Sequence, residues 1–192
     1  GETEDVYVKR SDITEQHHAQ GYYPGHAVTF DGVNDQVRLD NFESYNGSYT
    51  FSMWVKSNKT FQGYDALFGG SSLDFALFWH GGQERLTFYG GSWTYFGNAP
   101  PNDGEWHHVV FTMDGQAGQA RAYIDGVQQG AAQPYTPVNI TGGLRTFGDG
   151  WASGYEFEGS MYDYRIYEGV KTLEEIEAED TEGLIAWWPM QE

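Results

Sequence analysis

Short segments in which apolar and polar residues alternate recur along most of the chain, as in β-strands with one buried face. In residues 49–56 every second position is Tyr, Phe, Met or Val, and in residues 106–113 Val109, Phe111 and Met113 share one side. Alternation over this length predicts two long strands. Shorter runs of the same kind predict further strands at 26–30, 36–39, 67–68, 74–79, 85–89, 120–124, 144–147, 155–157, 161–167 and 184–188.

Turn-forming residues separate these runs at intervals of about 8–12 residues, the spacing typical of a β-sandwich. Asp31-Gly32 and Asp125-Gly126 are turn dipeptides, because glycine adopts the positive φ angles that tight turns need. A short helix is predicted after Thr172, which forms a capping box with Glu175. The chain is therefore predicted to be all-β, an antiparallel two-sheet β-sandwich with one short C-terminal helix.

The whole chain, residues 1–192, is predicted to form one domain, since no repeat or composition boundary divides it. Residues 1–25 are polar and weakly periodic, and we interpret them as a lead-in that contributes one edge strand. Residues 183–192 contain an apolar strand that closes the domain. Neither a run of 18 apolar residues nor a signal peptide is visible, so the sequence looks like a mature or excised module.

The charge balance excludes several classes of partner. The chain has 28 acidic and 10 basic side chains, a net charge of −18. Such a surface repels phosphate backbones and anionic lipids, so we expect neither nucleic-acid binding nor membrane insertion. The absence of cysteine excludes disulfides, thiol catalysis and thiolate zinc sites. Hard cations such as Ca²⁺ remain compatible with this composition.

Six segments together resemble the laminin G-like (concanavalin A-like lectin/glucanase) domain, and they occur in the family's order. The resemblance implies a jelly roll that extends over about residues 26–177. It does not specify a ligand, because the fold occurs in lectins, adhesion modules, carbohydrate-binding modules and glycosidases. A strand like 183–189 usually opens such a domain, whereas here it follows the other motifs. The matching segments are 27–32, 49–56, 104–109, 123–126, 157–167 and 173–176.

Relatives of this kind often hold Ca²⁺ at the rim of the sandwich, which implies a calcium site here. The corresponding loops of this chain are 69–74 and 147–151, and they carry two carboxylates and several backbone carbonyls. Water would complete the six to eight oxygen ligands that the ion needs. The alternative is that both carboxylates belong to ordinary turns. The metal ligands in this prediction are Asp74, Asp149, Gly148 and Gly150, with Asp65 as a second choice.

Aromatic residues between glycines suggest a sugar-binding surface, because a flat ring packs well against the C–H face of a sugar. Trp93, Tyr95 and Trp151 are interpreted as loop residues of this kind, although a loop tryptophan can also simply cap the sandwich. His80 ends a strand and is a further candidate. Trp79, the neighbour of His80, can be read either way. The remaining four tryptophans lie within predicted strands and are expected in the core: Trp54, Trp106, Trp187 and Trp188.

Two glutamates offer an enzymatic alternative. Glu156 and Glu158 would share one face of a predicted strand, and a retaining glycosidase needs two carboxyl groups about 5–5.5 Å apart. We favour an exposed, solvated pair, since no third acidic residue completes the glucanase pattern. The neighbours His107 and His108 would point to opposite faces of a strand and so do not predict a zinc site.

The sequence thus predicts a non-catalytic, lectin-like carbohydrate-binding module, Ca²⁺-dependent, extracellular or on the cell surface. It would be a monomeric part of a larger adhesin or polysaccharide-acting protein. A protein-binding or structural spacer domain is the first alternative, and a glycosidase that uses Glu156 and Glu158 is the second. The expected ligand-binding residues are Trp151, Asp149, Asp74, Trp93, Tyr95 and His80.

Overall fold

A computed structural model describes residues 8–9, 27–59, 63–70, 74–82, 85–97, 100–149, 153–178 and 180–188. Two antiparallel sheets pack face to face, and one short helix lies on the outer side of the larger sheet. The predicted β-sandwich and its C-terminal helix are therefore confirmed. In the part of the chain that is described, no helix has the length and apolar character needed to cross a membrane.

The larger sheet has nine strands. Its order is β1-β17-β16-β5-β10-β11-β12, with β2 also paired to β16 and β13 also paired to β11. The strand near the C-terminal end thus belongs to this sheet, and the expected edge strand of the lead-in is β1. The bounds are β1 Val8–Lys9, β2 Val28–Asp31, β5 Tyr49–Lys56, β10 Trp106–Asp114, β11 Gln119–Ile124, β12 Val127–Gln128, β13 Gln133–Pro134, β16 Glu158–Glu168 and β17 Leu184–Trp188.

The smaller sheet has six strands in the order β3-β15-β6-β7-β8-β9, and a separate two-stranded pair is formed by β4 and β14. The helix α1 spans Leu173–Glu177 and begins with the predicted capping box. The bounds of the strands are β3 Val37–Phe42, β4 Tyr45–Asn46, β6 Ala66–Gly70, β7 Ala76–Gly81, β8 Arg85–Tyr89, β9 Trp93–Phe96, β14 Asn139–Ile140 and β15 Gly143–Phe147.

Aromatic side chains fill the space between the two sheets. The ring of Phe51 stacks on Phe75 with 5.2 Å between centroids, and Phe68 contacts both. The alternate residues of β5 that the sequence assigned to one face, such as Met53 and Val55, are fully buried here. The hydrophobic effect on this face is therefore what holds the sheets together.

The outer face of the larger sheet carries tryptophans that the sequence assigned to the core. Trp54 alternates with Met53 and Val55, so it lies on the side of β5 away from the core. Trp187 packs with Ile176 of α1 in a second, smaller hydrophobic cluster outside the sandwich. Trp187 is therefore buried as expected, although outside the space between the sheets, whereas Trp54 is only partly buried.

Candidate functional site

An aromatic surface covers the outer face of the smaller sheet near β9. Phe96 of β9 is buried in the core, so Trp93 and Tyr95 point to the opposite side. Trp93 packs against Tyr64 and Tyr89 with 4.8 Å between ring centroids in each case. The prediction that Trp93 and Tyr95 lie in a loop is wrong, because they belong to a strand paired with β8.

Tyr64 supports this surface from below. Burial raises the pKa of Tyr64, and the neighbouring Tyr95 raises that pKa further. Tyr64 also fits closely against Gly82, where a Cβ atom would lie 2.7 Å from the phenol oxygen.

A groove of about 600 Å³ runs along the free edge of β9. Its second wall is the segment 130–134, which β13 attaches to β11 of the other sheet. At one end the backbones of Gly97 and Gly130 approach so closely that a Cβ on Gly130 would lie 3.0 Å from the Gly97 nitrogen. We call this the β9 groove; it is lined by Arg85, Ser92, Trp93, Thr94, Tyr95, Gly97, Gly130, Gln133 and Pro134.

The carboxylate of Asp74, one of the predicted calcium ligands, is paired with a buried arginine. Arg145 Nη1 and Nη2 donate to its two oxygens at 2.8 and 2.6 Å, and Thr141 N donates at 3.2 Å. Burial alone would raise the pKa of Asp74, but the hydrogen bonds from Arg145 and Thr141 outweigh it and hold the pKa well below its usual value. Arg145 thus supplies the positive charge at this carboxylate.

The other predicted metal ligands do not converge on Asp74. Asp74 contacts Thr141, which lies before β15, whereas Asp149 lies after β15. The strand separates the two positions by about 13 Å, at ~3.3 Å per residue. The Gly148 carbonyl accepts a hydrogen bond from Phe157 N, and Asp65 pairs with Lys59 at 2.8 Å. Gly150 and Trp151 lie outside the described residues.

These placements do not fit a Ca²⁺ site built on Asp74, Asp149 and Asp65. Among the described residues, no three His, Asp or Glu side chains come close enough together to hold a metal ion. Two of the three predicted carboxylates already have a cationic partner, so their charge is balanced without a metal. Calcium dependence stays a prediction, and the description of Asp74 and Asp65 as turn or ion-pair residues fits this geometry better.

The remaining candidates lie apart from the β9 groove. His80 is buried on β7, and its Nε2 lies 2.8 Å from Asn102 Oδ1. Glu156 precedes β16 in an irregular segment, where its carboxylate accepts from Gly154 N at 2.7 Å. Glu158 is the exposed first residue of β16, so the predicted strand 155–157 is wrong and the two glutamates do not form a same-face pair.

Sequence reasoning found the aromatic residues of the groove but missed its polar wall. The sequence predicted the strand that contains Arg85 but gave this residue no ligand-binding role. Gln133 and Pro134 were not among the predicted site residues. Their participation depends on the long-range pairing of β13 with β11. A two-residue strand within an otherwise irregular segment carries no local signal of such a contact.

A family model described as Concanavalin A-like lectin/glucanases superfamily matches residues 31–177. Human neuronal pentraxin-1 is 32% identical over 84 residues, which are 39% of this chain and 19% of the relative. The chain thus aligns with about a fifth of that curated relative's length. Domain 4 of AbnA, an extracellular arabinanase of family GH43 from Geobacillus stearothermophilus solved with arabinotriose, is 25% identical with a TM-score of 0.62. The match covers 79% of this chain and 75% of that domain.

A putative carbohydrate-binding protein from Bacteroides ovatus has the same fold. It superposes with a TM-score of 0.60 over 85% of this chain and 52% of its own, at 17% identity. Identity at this level shows a shared architecture and nothing about the ligand.

Proposed function

The chain belongs to the Concanavalin A-like lectin/glucanases superfamily, and from that premise we propose that it is a non-catalytic carbohydrate-binding module. In this proposal the β9 groove binds an oligosaccharide segment of a larger glycan. The module would serve a secreted protein that adheres to polysaccharide or acts on it. The likeness to a domain solved with arabinotriose supports this ligand class.

The observation that carries the proposal is the position of Trp93 and Tyr95 at the wall of an open, mostly polar groove. Their rings offer flat apolar area for the C–H face of a sugar. In the same groove, Arg85 can donate hydrogen bonds to sugar hydroxyls, and Gln133 can either donate or accept them. A binding site for a neutral polyhydroxyl ligand requires aromatic rings and a small number of hydrogen-bonding groups beside them.

The placement of Glu156 and Glu158 favours a binding role over hydrolysis by this pair. Glu156 is engaged by the Gly154 amide, and Glu158 begins the next strand with its side chain near Gly32. Neither glutamate lines the β9 groove. A glycosidase needs two carboxyl groups that flank one scissile bond, so Glu156→Gln and Glu158→Gln should leave ligand binding unchanged.

Affinity electrophoresis through gels that contain soluble arabinan, xylan, galactan or β-glucan tests this function. We expect at least one polysaccharide to retard the wild-type chain and Tyr95→Ala to remove most of the retardation. The matched control is Tyr123→Ala on the larger sheet, which should migrate like the wild type. Equal retardation of Tyr95→Ala and the wild type would overturn the assignment of the groove.

The same gels, run with EDTA and with added CaCl₂, test the predicted calcium dependence. Because Asp74 is paired with Arg145 and Asp65 with Lys59, we expect retardation to persist in EDTA. Loss of retardation in EDTA, restored by Ca²⁺ and not by Mg²⁺, would instead establish a calcium-dependent lectin.

A further inference from the structure

Three rings form a row on the outer face of the larger sheet. Tyr162, Trp54 and His108 are direct neighbours in register across β16, β5 and β10. Trp54 is nearly parallel to Tyr162, with 5.6 Å between centroids, and is stacked on His108 at 5.1 Å. Ser52 Oγ lies 2.8 Å from His108 Nε2 and fixes that ring. The row therefore presents a rigid aromatic edge on the outer face of the larger sheet, and none of its three residues lines the β9 groove.

Between this row and helix α1 lies a second cavity, of about 380 Å³. We call it the helix-side cavity. Its floor is the sheet, one wall is the turn at Asp125-Gly126, and another is the end of α1 at Ile176 and Glu177. Its volume falls in the range of small-molecule sites, about 300–1,000 Å³. The polar groups in its lining are His108, Asp125, Asp163, Arg165 and Glu177.

Asp163 reaches this cavity from a β-bulge. The register of β16 against β5 shifts between Tyr162 and Arg165, and Asp163 has a φ of +48°. This left-handed conformation is unfavourable for a residue other than glycine. Bulges are common beside functional sites, because the extra residue re-aims a side chain. Without the bulge, residue 163 would follow the strand alternation toward the core face.

Two donors hold the carboxylate of Asp163 in place. Arg165 Nε and Trp187 Nε1 each donate to Oδ1 at 2.7 Å. The Asp163 side chain is 11% exposed and that of Arg165 is 7% exposed, so the pair is shielded from bulk water. A hydrogen bond inside such a site is stronger than one at the surface. The cavity thus combines a fixed acceptor, a fixed guanidinium and an aromatic wall.

The charge of the lining selects against anions. Asp125, Asp163 and Glu177 contribute three carboxylates, and Arg165 contributes one cation. Burial lowers the pKa of His108, so that ring is neutral near pH 7. The carboxylate of Asp125 is also bonded to His107 Nδ1 at 2.7 Å. A neutral ligand rich in hydroxyls suits this mixture of donors and acceptors better than a phosphate or a carboxylate does.

We propose that the helix-side cavity is a second carbohydrate site, which takes a single sugar unit or a chain end. The sugar would contact the ring edge of Trp54, because both faces of that ring are covered by Tyr162 and His108. Its hydroxyls would donate to Asp163 and accept from Arg165, and His108 would hold a further hydroxyl. Helix α1 and the Asp125-Gly126 turn close two sides, so a continuing polysaccharide chain has less room here than in the β9 groove. This inference goes beyond the function proposed above and does not depend on the β9 groove.

Fluorine NMR of protein labelled with 5-fluorotryptophan tests this inference on the intact chain. The chain has seven tryptophans, and the variants Trp54→Phe and Trp93→Phe assign the two resonances that matter. The probes are L-arabinose, D-xylose, D-galactose, D-glucose and D-mannose, each at about 50 mM, above a millimolar Kd. We expect at least one of them to shift the Trp54 resonance in a saturable way, whether or not the Trp93 resonance also moves.

The variant His108→Gln should weaken the Trp54 shift about fivefold or more, because glutamine offers a different donor and acceptor geometry. Tyr95→Ala, which alters only the β9 groove, should leave it unchanged. If none of the sugars shifts Trp54, or if His108→Gln binds as well as the wild type, the inference is overturned. A shift confined to Trp93 would also overturn it, while leaving the proposed function of the β9 groove intact.

Discussion

Asp74 and Arg145 lie 71 positions apart in the sequence and form a two-pronged ion pair on the smaller sheet. The Arg145 side chain is 2% exposed and that of Asp74 is 24% exposed. A buried guanidinium without a counter-ion is strongly unfavourable, so the pair is a structural requirement of this fold. An acidic residue in a glycine- and serine-rich loop can therefore form an ion pair with an arginine instead of binding a metal.

Asp74→Asn should lower the free energy of unfolding by about 3 kcal/mol at pH 7, because it leaves Arg145 buried without a partner charge. The measurement is urea unfolding, with the exposed Glu105→Gln as the matched control. Since the folded pKa of Asp74 lies below its unfolded value, its contribution is complete above about pH 4 and is lost as the pH falls. The difference between wild type and variant should thus shrink toward pH 2. A pH-independent difference, or none at all, would refute the ion-pair account.

Gly148, which the sequence suggested as a metal ligand, has a packing role in the structure. Its φ is +78°, and a Cβ atom would lie 2.2 Å from the ring of Phe30. Gly148→Ala should cost about 3 kcal/mol, the sum of backbone strain and overpacking. Gly154→Ala should cost only about 1 kcal/mol, because Gly154 has a φ of +94° with nothing near the Cβ position. Equal losses in the two variants, measured by urea unfolding, would contradict this role.

At the scale of elements, the long alternating runs and most strands of four to six residues were predictable, whereas β9 and two-residue strands such as β4, β13 and β14 were not. β5 and β10 appear where the sequence placed them, since eight or nine alternating residues leave little ambiguity. β9 was mistaken for a loop because glycines flank its four residues. The capping box predicted α1 correctly, because both of its hydrogen bonds are local. Local patterns thus gave most elements, whereas the groove and the ion pair depend on contacts distant in sequence.

Helix α1 has only five residues, so its ends and its packing decide its stability. Thr172 Oγ1 accepts from Glu175 N at 3.2 Å, and the Glu175 carboxylate accepts from Thr172 N at 2.7 Å. Thr172→Ala should reduce the free energy of unfolding by about 1 kcal/mol, whereas Thr172→Ser, which keeps the hydroxyl, should stay close to wild type. Urea midpoints compare the two variants. An alanine variant as stable as the serine variant would show that the cap contributes nothing.

At the scale of the whole molecule, the two proposed sugar sites lie at different places on one sandwich. The β9 groove lies along the β9 edge, between the smaller sheet and the segment that β13 attaches to the larger sheet, whereas the helix-side cavity lies on the outer face of the larger sheet. Both consist of aromatic rings beside a few hydrogen-bonding groups. A net charge of −18 surrounds them, which favours neutral glycans over acidic ones as ligands.

That charge also predicts a response to salt. Repulsion between like charges destabilises the compact state, and screening it should raise Tm by a few degrees between about 10 mM and about 300 mM ionic strength. NaCl, MgCl₂ and CaCl₂ at equal ionic strength separate screening from specific binding in one thermal-shift series. We expect the Mg²⁺ and Ca²⁺ curves to coincide. An additional rise in Tm with Ca²⁺ alone would instead support the specific calcium binding that the sequence predicts.

The most direct test of the central claim is a calorimetric titration with arabinotriose, the sugar found in the related arabinanase domain. The account predicts a measurable Kd for the wild type and about a tenfold weaker one, a loss of about 1.4 kcal/mol, for Tyr95→Ala. Arg85→Ala should also weaken binding, whereas Arg121→Ala on the larger sheet should not. If Tyr95→Ala and Arg85→Ala bind the trisaccharide as tightly as the wild type, the β9 groove is not the carbohydrate site.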